Sequence, residues 1–379
     1  MSLLLDDEQR MLQDSARDFL AARSPVAAMR ALRDARDGEG LDRALWREMA
    51  ELGWPAAALP EAYGGLAAGY KGLAAIFEQT GRTLAATPLL ATVVLGAGLI
   101  QEAGDEAQRQ AWLPRVASGE ALLALALDET PRHDPTRVAL RATHESGHWR
   151  LAGHKQFVLD AGVAERLLVV ARSAGAPGHR AGLSLFLVNP ATPGVRIERQ
   201  RMVDGRHAAT VHVDDVVLPE SALVGRPGEA FAALDRVLDR ARACLAAELL
   251  GVITEAFERT VAYLKERVQF DVPIGSFQAL QHRAARLFVE IELLRSSVAA
   301  ALEAIDAGRA EAASLASLAK ARASDLSERA LNEAVQMHGG IGVTDEFDLG
   351  LFLKRARVLQ QTFGDGAFHR DRYAHLLGF

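Results

Sequence analysis

The hydrophobic period changes twice along this chain, and that double switch limits its architecture more than any other feature of the sequence. Up to about residue 118 the pattern is helical. Leu5, Met11, Leu12, Phe19 and Leu20 recur at helical spacing among charges until Ser24-Pro25. A second helix is predicted from Leu41 to Leu52, with Gly53 as its stop. Residues 60–69 (PEAYGGLAAG) read as a loop. Helical spacing resumes at Lys71, halts near Thr87-Pro88, and returns from Glu106 to Val116. From Ala121 to about Val224 the apolar runs are short and punctuated by turns. Leu122–Leu127, Leu167–Ala171 and Leu183–Val188 read as buried strands, and Val211 and Val213 alternate with His212 and Asp214. From Gly228 the chain is helical again, over about 229–268, 278–307, 310–338 and 350–361. Long helices with short connections predict an antiparallel four-helix bundle. The expectation is an α+β multidomain chain: an all-α domain over 1–118, a middle antiparallel β domain over 119–226 and a C-terminal helical bundle over 227–379.

Charge and cysteine content narrow the function classes. The net charge is -6, with acidic and basic residues interleaved, so the chain lacks the concentrated basic face that nucleic acid or an anionic membrane requires. Cys244 is the only cysteine, which rules out an intrachain disulfide and argues against a thiolate metal site. A reducing cytoplasm is expected. Asp6, Asp7 and Glu8 stand where a secretory signal would be basic. The longest apolar run, Leu89 to Ile100, is too short to span a bilayer and reads as a buried helix.

Two short motifs are misleading. His144-Glu-Ser-Gly-His148 matches the zinc-protease pattern, which works only on a helix; Ser146-Gly147 between strand-like segments reads as a hairpin turn, and no metal is expected. Gly339, Gly340 and Gly342 follow a helical segment rather than a strand, so they read as a helix end and not as a dinucleotide fingerprint.

Three segments of the C-terminal half fit together in order and spacing. They are Arg267-Val-Gln269-Phe270…Pro273-Ile274-Gly-Ser-Phe277-Gln278, then Gln336-Met-His-Gly339-Gly340-Ile-Gly342-Val-Thr344-Asp-Glu346, then Phe363-Gly364-Asp365-Gly366. With Leu127-Asp128-Glu129 and residues 153–161 in the middle region, they make the chain resemble the acyl-CoA dehydrogenase family over essentially its whole length. The resemblance implies FAD, an acyl-CoA substrate, electron-transfer flavoprotein as electron acceptor, and a dimer or tetramer of like or unlike subunits. It implies that Leu127, Asp128, Phe157 and Leu159 line the isoalloxazine. It also implies that Arg267, Gln269, Phe270, Ile274, Gln278, Gln336, Gly339 and Gly340 clamp the adenosine diphosphate part of a FAD held mainly by a neighbouring subunit. Arginine pairs with pyrophosphate in a forked geometry, and glycines let backbone approach it.

The departures concern catalysis. Where the family commonly carries its glutamate base, this chain has Gly364. Where some members place it instead, just before an arginine on a bundle helix, it has Ala241-Arg242. The loop after Glu129 is one residue short, and Leu159 replaces a flavin-contacting hydroxyl. A positioned base is worth roughly 10²–10⁴-fold. Two readings stay open. The chain is the partner of a related subunit that carries the glutamate, as in bacterial heteromeric members acting on steroid or other bulky thioesters; or Asp365 serves as the base, with Arg242 as a second candidate catalytic residue. Asp365 reads equally as the N-cap of a final helix. Asp239 and Glu248 are lesser candidates, Glu248 lying roughly 10 Å along the helix from Ala241. A monooxygenase and a flavin-free scaffold are the remaining alternatives.

Overall fold

The structure, a computed structural model, describes residues 5–35 and 38–379. In chain order the helices are α1 (Asp7–Arg23), α2 (Val26–Asp34), α3 (Arg43–Glu51), α4 (Gly69–Thr83), α5 (Gly98–Ala103), α6 (Glu106–Ala117), α7 (Phe231–Glu266), α8 (Gln278–Asp306), α9 (Ala312–His338), α10 (Leu349–Gln361) and α11 (Gly366–Leu376). The strands are β1 (Leu123–Ala126), β2 (Arg141–Glu145), β3 (His148–Leu159), β4 (Arg166–Arg172), β5 (Leu183–Val188), β6 (Val195–Arg201), β7 (His207–Pro219), β8 (Leu223–Val224), β9 (Val268–Gln269) and β10 (Val272–Pro273).

Local chemistry sets the helix ends. Asp6 Oδ1 accepts from Gln9 N at 2.8 Å, and Gln9 Oε1 accepts from Asp6 N at 3.2 Å, a reciprocal cap that satisfies two donors at the start of α1. Asp105 and Gln108 repeat it on α6. Asp42 accepts from Ala44 N and Leu45 N to start α3, and Gly53 at φ +78° stops the chain just beyond it.

The described residues form two compact units. One comprises residues 38–69 and 87–241 and contains the sheet, ordered β6-β7-β3-β2-β4-β5-β8, with β1 added along β4. The middle region was expected to be antiparallel throughout. Instead β1 runs parallel to β4, and β2 touches β4 in the same sense. The reason is the long connection between them: the β2–β3 hairpin intervenes, and such a crossover lets the chain return in the same direction. Trp149, Leu151, Leu167, Val169, Phe186, Val211 and Val213 make the sheet's core, with Trp149 edge-on to Phe186. The apolar run at Leu89 is buried as expected, though with π-helical pitch over Leu89–Ala97 before α5. Thr92 Oγ1 accepts from Leu123 N at 3.1 Å and donates to Leu123 O at 3.2 Å, which fastens this run to β1.

The other unit comprises residues 5–35, 70–86 and 242–379. Here α7 to α10 match the predicted helices within a few residues, and α11 adds a further helix to the four expected. A cluster of glycine contacts joins α4 to α7. A Cβ on Gly81 would lie 2.1 Å from Glu248 O, and one on Gly251 would lie 1.9 Å from Glu78 O.

Candidate functional site

In the sheet unit, residues of the first signature meet those of β3. Lys155 Nζ, fully buried, donates to Leu127 O at 2.9 Å and to Glu129 Oε1 at 2.7 Å. Burial lowers its pKa to about 8, against the opposing pull of Glu129 and Asp128. The Glu129 carboxylate also accepts from Ala139 N and Leu140 N, which fixes the shortened loop. Asp128 O accepts from Gln156 N at 2.7 Å, next to Phe157, which sits at φ +54° where β3 and β7 slip register. Leu127, Asp128 and Phe157 are thereby brought together, and Leu159 follows on the same strand. The His144–His148 motif is the β2–β3 turn, with Ser146 at φ +50° and Gly147 at φ +77°. Among the described residues no His, Cys, Asp and Glu group could hold a metal.

In the helical unit, α7 leads into the β9–β10 hairpin, whose tip residues Phe270 and Asp271 have φ of +54° and +64°. Phe270 is 86% exposed. Ile274 N donates to Arg267 O at 2.8 Å, closing the hairpin just before Gln278 opens α8. At the other side of this group, α9 ends at His338. The Tyr263 ring of α7 stacks on His338 at 4.4 Å between centroids, and Tyr263 Oη donates to His338 O at 3.4 Å. This contact ties the Arg267 hairpin to the Gln336, Gly339, Gly340 segment. Gly339 adopts φ +64°, and among the described residues, chain neighbours aside, no atom lies within 4 Å of a Cβ built on Gly339 or Gly340.

The turn at 363–365 is built from backbone and cations. Phe363 has φ +54° and Gly364 φ +107°. A Cβ on Gly364 would lie 2.3 Å from Phe368 Cδ1 and 2.9 Å from His369 Nε2. Lys320 Nζ, fully buried, donates to Gln360 O and Gly364 O, each at 3.0 Å; burial, reinforced by Arg242, lowers its pKa to about 7. The buried Arg242 donates from Nε to Phe363 O at 3.4 Å. His369 Nε2 lies 3.1 Å from the same carbonyl, which can only accept, so Nε2 carries hydrogen. Burial and then Arg242 and Lys320 depress the His369 pKa strongly, so the ring is neutral. Asp365 Oδ1 accepts from Phe368 N at 2.8 Å and caps α11, as its N-cap reading predicts. Glu248 is bound to Arg355, and Asp239 is buried.

Family models describe the chain in three successive pieces: acyl-CoA dehydrogenase N-terminal domain over residues 6–120, middle domain over 128–216 and C-terminal domain over 230–377. The chain belongs to the acyl-CoA dehydrogenase family. It is 31% identical to the probable acyl-CoA dehydrogenase YngJ of Bacillus subtilis (strain 168), over 98% of each chain. Among solved structures it resembles a variant of the Tcur3481-Tcur3483 steroid ACAD, at 33% identity, TM-score 0.88 and coverage of 99% and 98%. It also resembles the ChsE4-ChsE5 complex from Mycobacterium tuberculosis, at 25% identity, TM-score 0.89 and coverage of 100% and 99%.

Acyl-CoA dehydrogenases are FAD-dependent oxidoreductases, and two observations fit this chain to that cofactor. The side chains of Arg267, Gln269, Gln278 and Gln336 are exposed and make no hydrogen bond within the described residues, so their donors are free for an oxygen-rich anion. Beside them, the open backbone at Gly339 and Gly340 leaves room for a phosphate to approach. Sequence reasoning missed the partners of the 363–365 turn. Lys320 carried only a weak signal, a cation flanked by Ala319 and Ala321, which the nearby Arg322 shares. His369 carried none. His133, bound to Asp128, was also missed, although it lies only five residues away.

Proposed function

We propose that this chain acts in FAD-dependent α,β-dehydrogenation of an acyl-CoA thioester as the FAD-clamping subunit of a heteromeric enzyme, with the α-proton taken by a carboxylate of a related partner subunit. The observation that carries this reading is Gly364. The position that would bear the base has no side chain, and the space a side chain would enter is filled by Phe368 and His369. The neighbouring carboxylate, Asp365, is spent on capping α11. The likeness to two solved assemblies of paired components, Tcur3481-Tcur3483 and ChsE4-ChsE5, supports an unlike partner, and the first, a steroid ACAD, supports a bulky, steroid-type acyl group.

Bound FAD would supply the hydride acceptor. Arg267, with Gln269, Phe270, Ile274 and Gln278, would hold the adenosine diphosphate end of a FAD bound mainly by the neighbouring subunit. Gln336, Gly339 and Gly340 would close over that end, while Leu127, Asp128, Phe157 and Leu159 would lie beside the ring of the flavin seated in the sheet unit. Electron-transfer flavoprotein is the proposed acceptor and the cytoplasm the proposed compartment. Among the described residues no helix is long and apolar enough to cross a membrane.

The test is to prepare the chain alone and together with a genomically adjacent homologue, then to follow flavin absorbance during anaerobic titration with an acyl-CoA panel. The expected result is bleaching by the mixed complex only, with Arg267→Ala weakening FAD retention. Bleaching by the chain alone, abolished in Asp365→Asn, would replace the partner reading with a self-sufficient enzyme. No flavin in either preparation would remove the cofactor.

A further inference from the structure

Asp128 stands two residues beyond the end of β1 among the residues proposed to line the flavin ring, and it is a carboxylate. Its side chain is 12% exposed, and His133 Nδ1 lies 3.0 Å from each of its two oxygens, on a ring 4% exposed. A carboxylate only accepts, so Nδ1 must carry hydrogen and point at both oxygens at once. Among the described residues His133 is the only hydrogen-bond donor to that carboxylate; Lys155 acts on it through charge alone, its ammonium being bonded to Leu127 O and Glu129. The loop that carries His133 is itself tied down. Asp134 Oδ1 accepts from Thr136 N at 3.0 Å and from Thr136 Oγ1 at 2.7 Å, and Glu129 accepts from the backbone at 139 and 140. A shortened loop therefore delivers one imidazole to one nearly buried carboxylate.

We propose that the Asp128–His133 pair is an electrostatic element of the flavin site, in which His133 is a positioning residue that holds the Asp128 carboxylate and offsets its field. This rests on the FAD reading above. A carboxylate beside the ring opposes the gain of negative charge on reduction, and in a poorly solvated site that opposition is weakly screened. Withdrawing the imidazole leaves the charge without its donor, whereas withdrawing the charge itself relieves the opposition.

The test uses the purified FAD-containing complex and measures the flavin midpoint potential together with FAD dissociation. His133→Ala should lower affinity for reduced relative to oxidised flavin about tenfold, which is a shift of about 30 mV to more negative potential for a two-electron couple. Asp128→Asn should shift the potential the other way, and Asp128→Asn with His133→Ala should return it to or above the wild-type value. A merely structural loop role would weaken FAD retention in both single variants without opposite shifts in potential. If His133→Ala does not fold, the near-isosteric Asp128→Asn variant decides alone. Wild-type potential in a flavin-loaded Asp128→Asn complex would overturn the inference, whereas a wild-type complex without flavin would overturn the FAD reading itself.

Discussion

Arg355 donates from Nε to Glu248 Oε1 at 2.9 Å within the helical unit, and the two side chains are 8% and 2% exposed. This pair ties α10 to α7 and commits Glu248 to structure rather than to proton transfer. Removing one partner of a buried pair strands the other charge. Arg355→Met or Glu248→Gln should therefore cost about 3–5 kcal/mol in urea unfolding, with the double substitution Arg355→Met and Glu248→Leu recovering part of it. Single variants within experimental error of wild type would show that the contact contributes little.

The α4–α7 crossing depends on two glycines. Alanine at Gly251 would place Cβ 1.9 Å from Glu78 O, and backbone cannot move aside as a flexible side chain would. Gly251→Ala should destabilise by roughly 3 kcal/mol or more, or prevent folding, an overpacking effect at the upper end of the usual range. Gly308→Ala, where a Cβ meets nothing within 4 Å but φ is +58°, should cost only about 1 kcal/mol. Equal midpoints for the two variants in thermal melts would contradict the close approach.

Restoring a glutamate at Gly364 is not expected to make the chain self-sufficient. The position has φ +107°, and Phe368 and His369 occupy the space of its Cβ. Gly364→Glu should lose roughly 2–4 kcal/mol of stability from strain and overpacking, and its flavin should stay oxidised with acyl-CoA when the chain is prepared alone. Bleaching by a stable Gly364→Glu chain would show that the turn can host a base.

Stability should rise with pH above neutrality through Lys320. Its pKa falls from 10.5 to about 7 on folding because burial penalises the ammonium. Between those values the unfolded chain retains a proton that the native protein has released, so raising pH favours the native state; below about 7 the penalty is present in full. Lys155, lowered to about 8, acts in the same direction. Melts of wild type and Lys320→Met at pH 6.5, 8 and 9.5 should show the difference moving in favour of wild type as pH rises. Parallel curves would mean that Lys320 stays protonated.

Cys244 should be inert in the native protein. The thiol is fully buried and burial pushes its pKa far up, so neither access nor thiolate is available. A thiol reagent should titrate none of it in buffer and one equivalent in denaturant. Rapid native labelling would reveal opening of α7.

What the sequence carried was written within a few residues of where it acts. Asp6 with Gln9, Asp105 with Gln108, and Gly53 mark helix ends because capping is a contest between a side chain and backbone no more than four residues away. Short apolar runs marked β1, β4 and β5, and the alternation at Val211 and Val213 marked β7, because the pattern of burial is imposed by the strand itself. The motif at Arg267 and Gln278 and the one at Gln336, Gly339 and Gly340 gave the family and the candidate clamp, and each lies on one short continuous stretch of sequence.

Other properties depended on partners far away in the chain. The N-terminal helices read as one region, yet α1, α2 and α4 belong with the bundle and α3, α5 and α6 with the sheet. The parallel pairing of β1 with β4 joins residues more than forty positions apart, and no local pattern encodes direction. Lys320 gives no sequence sign of its depressed pKa, which comes from burial among the packed helices and from the nearby Arg242. Gly364 could be read as a missing base, but its occupied surroundings and the capping role of Asp365 emerge only once α11 folds back on the turn. By itself the sequence determined element type and family and supplied the residues proposed for a cofactor, because propensity, capping and linear motifs act locally; tertiary structure alone decided strand direction, which charges are buried and which carboxylates are already bound, because burial and pairing are properties of the packed chain.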